Sequence, residues 1–144
     1  MSDFLQLGFD GPAFSSSALA FLVAFVVAGL FTVIFKVLYQ FATPYNERAL
    51  IRGGNSAAAI TLGGALVGYV LPLASALTHS LNIVEFAAWA TLAGVLQATA
   101  FTVVRILVMP DLSTRIERGE IAAALYMMSI SLCVGVLNAA CMTD

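Results

Sequence analysis

The sequence predicts an all-α, polytopic membrane protein: a single membrane domain over residues 1–144 with four transmembrane helices, arising from a parallel repeat of a two-helix unit. Three observations carry that expectation. The chain is 61% hydrophobic and only 10% charged, against about 25% charged in an average soluble domain, and so short a chain cannot hide that much apolar surface in one core. Its apolar residues lie in four continuous windows, each near the roughly 20 residues a helix needs to cross a bilayer. Its six Lys and Arg residues lie only in or beside two of the intervening loops.

The first window, about 17–39, holds one charge, Lys36, near its end, and the second, about 56–77, holds none. The third, about 85–108, contains Gln97 and has charges only near its two ends; the fourth, about 121–140, is uncharged. Strands of a transmembrane barrel would alternate apolar and polar residues. Continuous apolar runs fit helices, which close their backbone hydrogen bonds internally, as hydrocarbon requires. Before the first window stand Asp3 and Asp10 and no Lys or Arg, unlike the basic start of a secretory signal, so that window is expected to be a retained helix. The short apolar stretch from Phe4 to Phe9 is read either as lying in the membrane interface or as a disordered tail.

Lys and Arg favour the cytoplasmic side. Lys36, Arg48 and Arg52 flank the loop between spans one and two; Arg105, Arg115 and Arg118 flank the loop between spans three and four. The N-terminal segment, the 78–84 loop and the C-terminus have none. Both charged loops are therefore expected in the cytoplasm and both termini outside it. The loops mix Glu with Arg, which suits a solvated turn or a docking surface for a cytoplasmic partner built on Arg48, Arg52, Arg115 and Arg118.

A net charge of −2 with no basic stripe argues against a nucleic-acid partner. Two Cys are too few for a disulfide scaffold or a cysteine zinc site, and the one His has no metal-binding pattern around it. No catalytic set, metal site or cofactor is expected, and the chain does not read as an enzyme. His79 reads as an interfacial polar residue, Cys133 as a small buried apolar residue, and Cys141 as a residue near the outer face.

Two matches in the same order suggest duplication. Phe31-Thr32-Val33-Ile34-Phe35-Lys36 resembles Phe101-Thr102-Val103-Val104-Arg105, and Arg52-Gly53-Gly54-Asn55-Ser56-Ala57-Ala58-Ala59-Ile60 resembles Arg118-Gly119-Glu120-Ile121-Ala122-Ala123-Ala124-Leu125, each with a one-residue gap. The repeats would run from about 15–79 and about 83–142, and two spans per unit give both the same orientation.

Gly54-Asn55-Ser56-Ala57-Ala58-Ala59, followed by Gly68-Tyr69 and Pro72-Leu73-Ala74, is similar to the YjfL-like family of bacterial inner-membrane proteins, as is the ending Val134-Gly135-Val136-Leu137-Asn138-Ala139-Ala140-Cys141. That family is a domain of unknown function (number 350), a two-helix unit present twice. The resemblance implies a four-helix inner-membrane protein with no established catalytic residues. It also implies a link to envelope stress, with a phage-shock-like peripheral protein as a cytoplasmic partner.

Helices in lipid associate through small residues and interhelical hydrogen bonds. Span two carries such a stripe in Ala57, Thr61, Gly64, Gly68, Pro72 and Ser75, and span four in Ala124, Met128, Ser131, Gly135 and Asn138. Pro72 lacks the N–H that would bond the Gly68 carbonyl, so a bend is expected there. The freed carbonyl is either covered by a neighbouring helix or joins Ser75 and Asn138 in a polar site. Gln97 is read as glue between helices or as a contact to an ion or water. Two functions follow: a homo-oligomeric membrane scaffold or anchor in the envelope-stress response, or a small homo-oligomeric channel or transporter whose polar path is lined by helices two and four.

Overall fold

The computed structural model describes residues 10–142. These form four long helices, apolar enough to cross a membrane, joined in pairs through two short ones. The stretch from Phe4 to Phe9 lies outside the described residues. Helix α1 covers Gly11–Ala42, α2 Glu47–Arg52, α3 Ser56–His79, α4 Ile83–Val103, α5 Leu112–Glu117 and α6 Ile121–Ala140. The last turn of α4 widens into a π-helical segment, Val104–Val108.

The boundaries follow from capping chemistry. Asp10, Asn46, Asn55 and Asn82 each accept a backbone N–H from the first turn of the helix that follows, as short polar side chains do at N-caps. Helix α1 begins earlier than the apolar run, because the Asp10 cap and Pro12 in the first turn favour a start there. It stops at Thr43, which is extended (φ −90°, ψ 132°) ahead of Pro44, as a residue before proline prefers. Met109 is likewise non-helical before Pro110. Each short helix is followed by a glycine at positive φ, Gly54 at 85° and Gly119 at 79°, where a side chain would be strained. The chain there turns sharply into α3 or α6.

Helix α3 is the centre of the bundle. It packs most closely on α6, and α4 lies against both. Helix α1 joins only through the half nearest the basic loops, where Phe35 and Tyr39 are its two buried residues. There Phe35 stacks on Tyr69 (centroids 4.3 Å apart, 14° between planes), Tyr39 meets Phe101 edge-on at 5.0 Å, and Phe31 meets Phe86 edge-on at 5.6 Å. Such pairs add about 0.5–1.5 kcal/mol each beyond area burial. The other half of α1 stands off from α3 and α4 across an apolar crevice of about 510 Å³.

Three further hydrogen bonds tie the loops together at the basic end. Arg105 Nη1 donates to the carbonyl of Ala42, 2.7 Å, capping α1. Asn55 Nδ2 donates to the carbonyls of Ile116 and Glu117, 2.9 and 3.1 Å, so the residue that starts α3 also holds the end of α5.

Candidate functional site: the α3–α6 seam and the basic end

The small-residue stripes face one another. Thr61, Gly64, Gly68 and Pro72 are buried on α3, as are Ser131, Gly135 and Asn138 on α6; Ser75 is half-buried. The contact at the middle is between backbones. A Cβ built on Gly68 would strike the carbonyl of Ser131 and lie 2.5 Å from Gln97 Nε2, and one on Gly135 would strike the carbonyl of Gly68. One turn away, a Cβ on Gly64 would lie 2.7 Å from the Cα of Met128. Each glycine hydrogen points where that Cβ would go, so Gly135 aims a Cα–H at the Gly68 carbonyl, and Gly68 aims one at the Ser131 carbonyl. Contacts of this kind recur where helices approach closely.

This geometry disposes of the carbonyl that Pro72 frees. Helix α3 runs on through Pro72 to His79, and the Gly68 carbonyl is covered by Gly135. A polar site of the Gly68 carbonyl, Ser75 and Asn138 is not assembled: Ser75 Oγ donates to Ala139 O at 3.1 Å, and Asn138 Nδ2 reaches Ala93 O at 3.4 Å. Thr61 bonds back to Ala57 within its own helix.

Gln97 is buried on α4, and its Nε2 donates to Ser131 O at 3.0 Å. The opposite amide orientation would set two oxygens against each other, so the donor assignment is fixed by the neighbour. Its Oε1 is buried without a partner. Tyr69, to which the sequence reading gave no bonding role, adds a second tie to α4 through its hydroxyl, 3.1 Å from Ala90 O.

One residue is placed differently from the sequence reading. Cys133 is exposed, not buried, because it lies on the face of α6 opposite Ser131 and Gly135. Cys141 is also exposed and free. Glu85 accepts the Leu81 N–H at 2.9 Å, closing the turn ahead of α4. His79 Nδ1 sits 2.8 Å from Ser75 O on the exposed end of α3.

At the basic end, Arg48, Arg52 and Arg118 are exposed. Arg115 is committed to an internal pair: its Nε and Nη2 donate to the two Glu120 carboxylate oxygens at 2.6 and 2.7 Å. That bidentate bond holds the Glu120 carboxyl below the usual carboxylate range and raises Arg115. Glu47 is the residue that sequence reasoning missed. It opens α2 yet is only 2% exposed, beside Tyr39 and Tyr45, which are also buried. Burial pushes its carboxyl up to about 7, with Lys36 pulling the other way. Burial, with Glu47 adding to it, also raises the Tyr45 phenol.

Comparison with known proteins agrees with this architecture. The family described as Domain of Unknown Function (DUF350) matches residues 13–142. The UPF0719 inner membrane protein YjfL of Escherichia coli K12 is 41% identical over 127 residues, covering 88% of this chain and 96% of that protein. The protein of the same description from Escherichia coli O157:H7 matches to the same extent. No solved structure matches the chain.

Proposed function

The chain belongs to the DUF350 family of inner-membrane proteins, and on that premise we propose that it is a non-enzymatic, homo-oligomeric scaffold or anchor acting in the envelope-stress response. The observation that carries this reading is the backbone contact of Gly68 with Ser131 and Gly135. A polar path through one protomer would run along that seam, and no space is left there for water. The seam suits a rigid support. The exposed face of α1 suits contact with a second copy, and Arg48, Arg52 and Arg118 suit a peripheral partner at the basic end. The arginines and Lys36 argue that this end is cytoplasmic. Duplication draws support from the order of elements: in each half a long helix, a short helix, a glycine at positive φ and a second long helix.

A channel between protomers is the second reading. It draws on the buried, unpartnered Oε1 of Gln97. Ion flux into liposomes bearing the purified, correctly assembled protein separates the two. The scaffold reading expects flux equal to that of empty liposomes. Flux above that level which Gln97→Leu or Asn138→Leu changes, in protein that still assembles, would refute it. Sidedness is tested after replacing Cys133 and Cys141. Asn46→Cys and Ser113→Cys should resist an impermeant thiol reagent in cells with intact inner membranes, and Ser80→Cys should react. The opposite pattern would invert the orientation.

A further inference from the structure

We infer that Glu47, with Tyr39 and Tyr45, forms a binding site for one monovalent cation at the basic end of the protein. The three side chains are 2%, 2% and 7% exposed, and both Glu47 carboxylate oxygens lack a hydrogen-bond partner. They lie within reach of one another: the Glu47 charge acts on both phenols, and the Tyr39 and Tyr45 hydroxyls are placed to hydrogen-bond each other, which leaves the Glu47 oxygens as the unpaired acceptors. Buried polar groups are nearly always satisfied, so an unpaired cluster is a place where something else bonds.

Packing alone does not call for an acid here. The first residue of α5 is Leu112, buried as Glu47 is in α2. An apolar side chain serves at the one place and a carboxylate stands at the other. The neighbouring cations leave the carboxylate open. Among the described residues, the ion pair formed is Arg115 with Glu120. Arg105 bonds Ala42 O and acts on Tyr45 through space, Arg48 is exposed at the rim of the neighbouring cavity, and Lys36 acts on Glu47 through space. Glu117 is the other acid that bears on Tyr45.

The donor set selects the ligand. It is all oxygen, which suits hard cations. It holds one negative charge with two neutral hydroxyls, which matches one positive charge, as in an alkali ion or a protonated amine. Beside the site lies a cavity of about 350 Å³ lined by Gln40, Tyr45, Asn46, Glu47 and Arg48. A proton competes for the same oxygens, so occupancy falls as Glu47 protonates.

The test is thermal unfolding of the full chain in detergent at constant ionic strength. Potassium, sodium or methylammonium replaces choline, at about pH 8 and again near pH 5.5, on either side of the raised carboxyl. At least one small cation is expected to raise Tm saturably at the higher pH and much less at the lower. The metal and amine arms distinguish the two sources of charge. Glu47→Gln should abolish the shift, and Tyr45→Phe or Tyr39→Phe should weaken binding severalfold. Equal Tm in all salts would overturn the proposal, as would an undiminished response in Glu47→Gln. If Glu47→Gln does not fold, the tyrosine variants decide, and binding unchanged in both would overturn it. A response present in Lys36→Met but absent from the wild type would mean that the lysine fills the site, which also overturns it.

Discussion

Replacing Gly135 with Ala adds one methyl group where α6 meets α3, and the cost can be worked from the contact. The new Cβ would strike the carbonyl of Gly68, a backbone atom in the middle of a buried helix. No side chain can swing aside, so the helices must separate. The milder clash at Gly64 gives the scale: its Cβ would lie 2.7 Å from Met128 Cα, and ordinary contact begins at 3.4 Å, so relief there needs a shift of 0.7 Å (3.4 minus 2.7). A gap of about 0.5–1 Å forfeits a quarter to a half of each dispersion contact along the interface. Overpacking of this kind costs about 1–3 kcal/mol, and the backbone clash puts Gly135→Ala at the upper end. The gain in helix propensity from Gly to Ala offsets about 1 kcal/mol, leaving a net loss of about 2 kcal/mol. Gly63 is the control. It neighbours Gly64 on α3, but a Cβ there meets nothing within 4 Å, so Gly63→Ala should be neutral or stabilising. Unfolding of both variants in detergent measures the difference. Equal stability of Gly135→Ala and Gly63→Ala would refute the backbone-contact argument.

Asn55→Ala removes the N-cap of α3 and both bonds to the end of α5; a loss of about 1–2 kcal/mol is expected in the same assay, and no loss would mean that the two loops are held together by other contacts. Glu47 makes stability depend on pH. Its folded value of about 7 exceeds the ordinary 4.5, so its contribution is fully present below about pH 4.5 and is lost as pH rises through about 7. The difference between the two values bounds the loss at about 3 kcal/mol, and solvent screening at the rim of the site lowers it. In choline buffer the wild type should weaken over that window while Glu47→Gln stays flat; parallel curves would assign the dependence to another group. Gln97→Leu gives up one interhelical bond but also removes a buried unpartnered oxygen, so its stability should change by no more than about 1 kcal/mol. A larger loss would mean that Oε1 has a partner.

The spans were legible because hydrocarbon imposes a length and a composition that can be counted. The fourth window, 121–140, coincides with α6, and the second ends two residues short of α3. The misplaced ends belong to local chemistry that hydropathy does not measure, such as the Asp10 cap and the extended residue before Pro44. The seam was also legible, since Gly64, Gly68, Ser131 and Gly135 sit at helical spacing. Which partner each polar side chain takes was not. Asn138 and Ser75 are on the expected helices, but their bonds depend on how far each helix is rotated, and the spacing leaves that open. Cys133 shows the same limit, because in an all-apolar helix hydropathy does not tell the lipid face from the packed one. Glu47 was illegible for another reason. In a loop that mixes signs, a buried Glu and a solvated one such as Glu117 look alike until the aromatic residues of α1 are placed around it.

The loose attachment of α1 bears on the order in which the protein assembles. Its span is the most apolar of the four, and it comes first along the chain. It precedes the spans it packs on, so Phe35 has no ring to stack on until α3 arrives to offer Tyr69. The later spans are less apolar because they shield polar groups against one another: Gln97 against Ser131, Tyr69 against Ala90, Asn138 against Ala93. None of those groups is satisfied until its partner helix is in place. Insertion and folding are thus divided along the chain, with the first helix made for survival alone and the last three for mutual completion. The step that closes the structure is the arrival of α6, whose glycine meets the carbonyl that Pro72 left open.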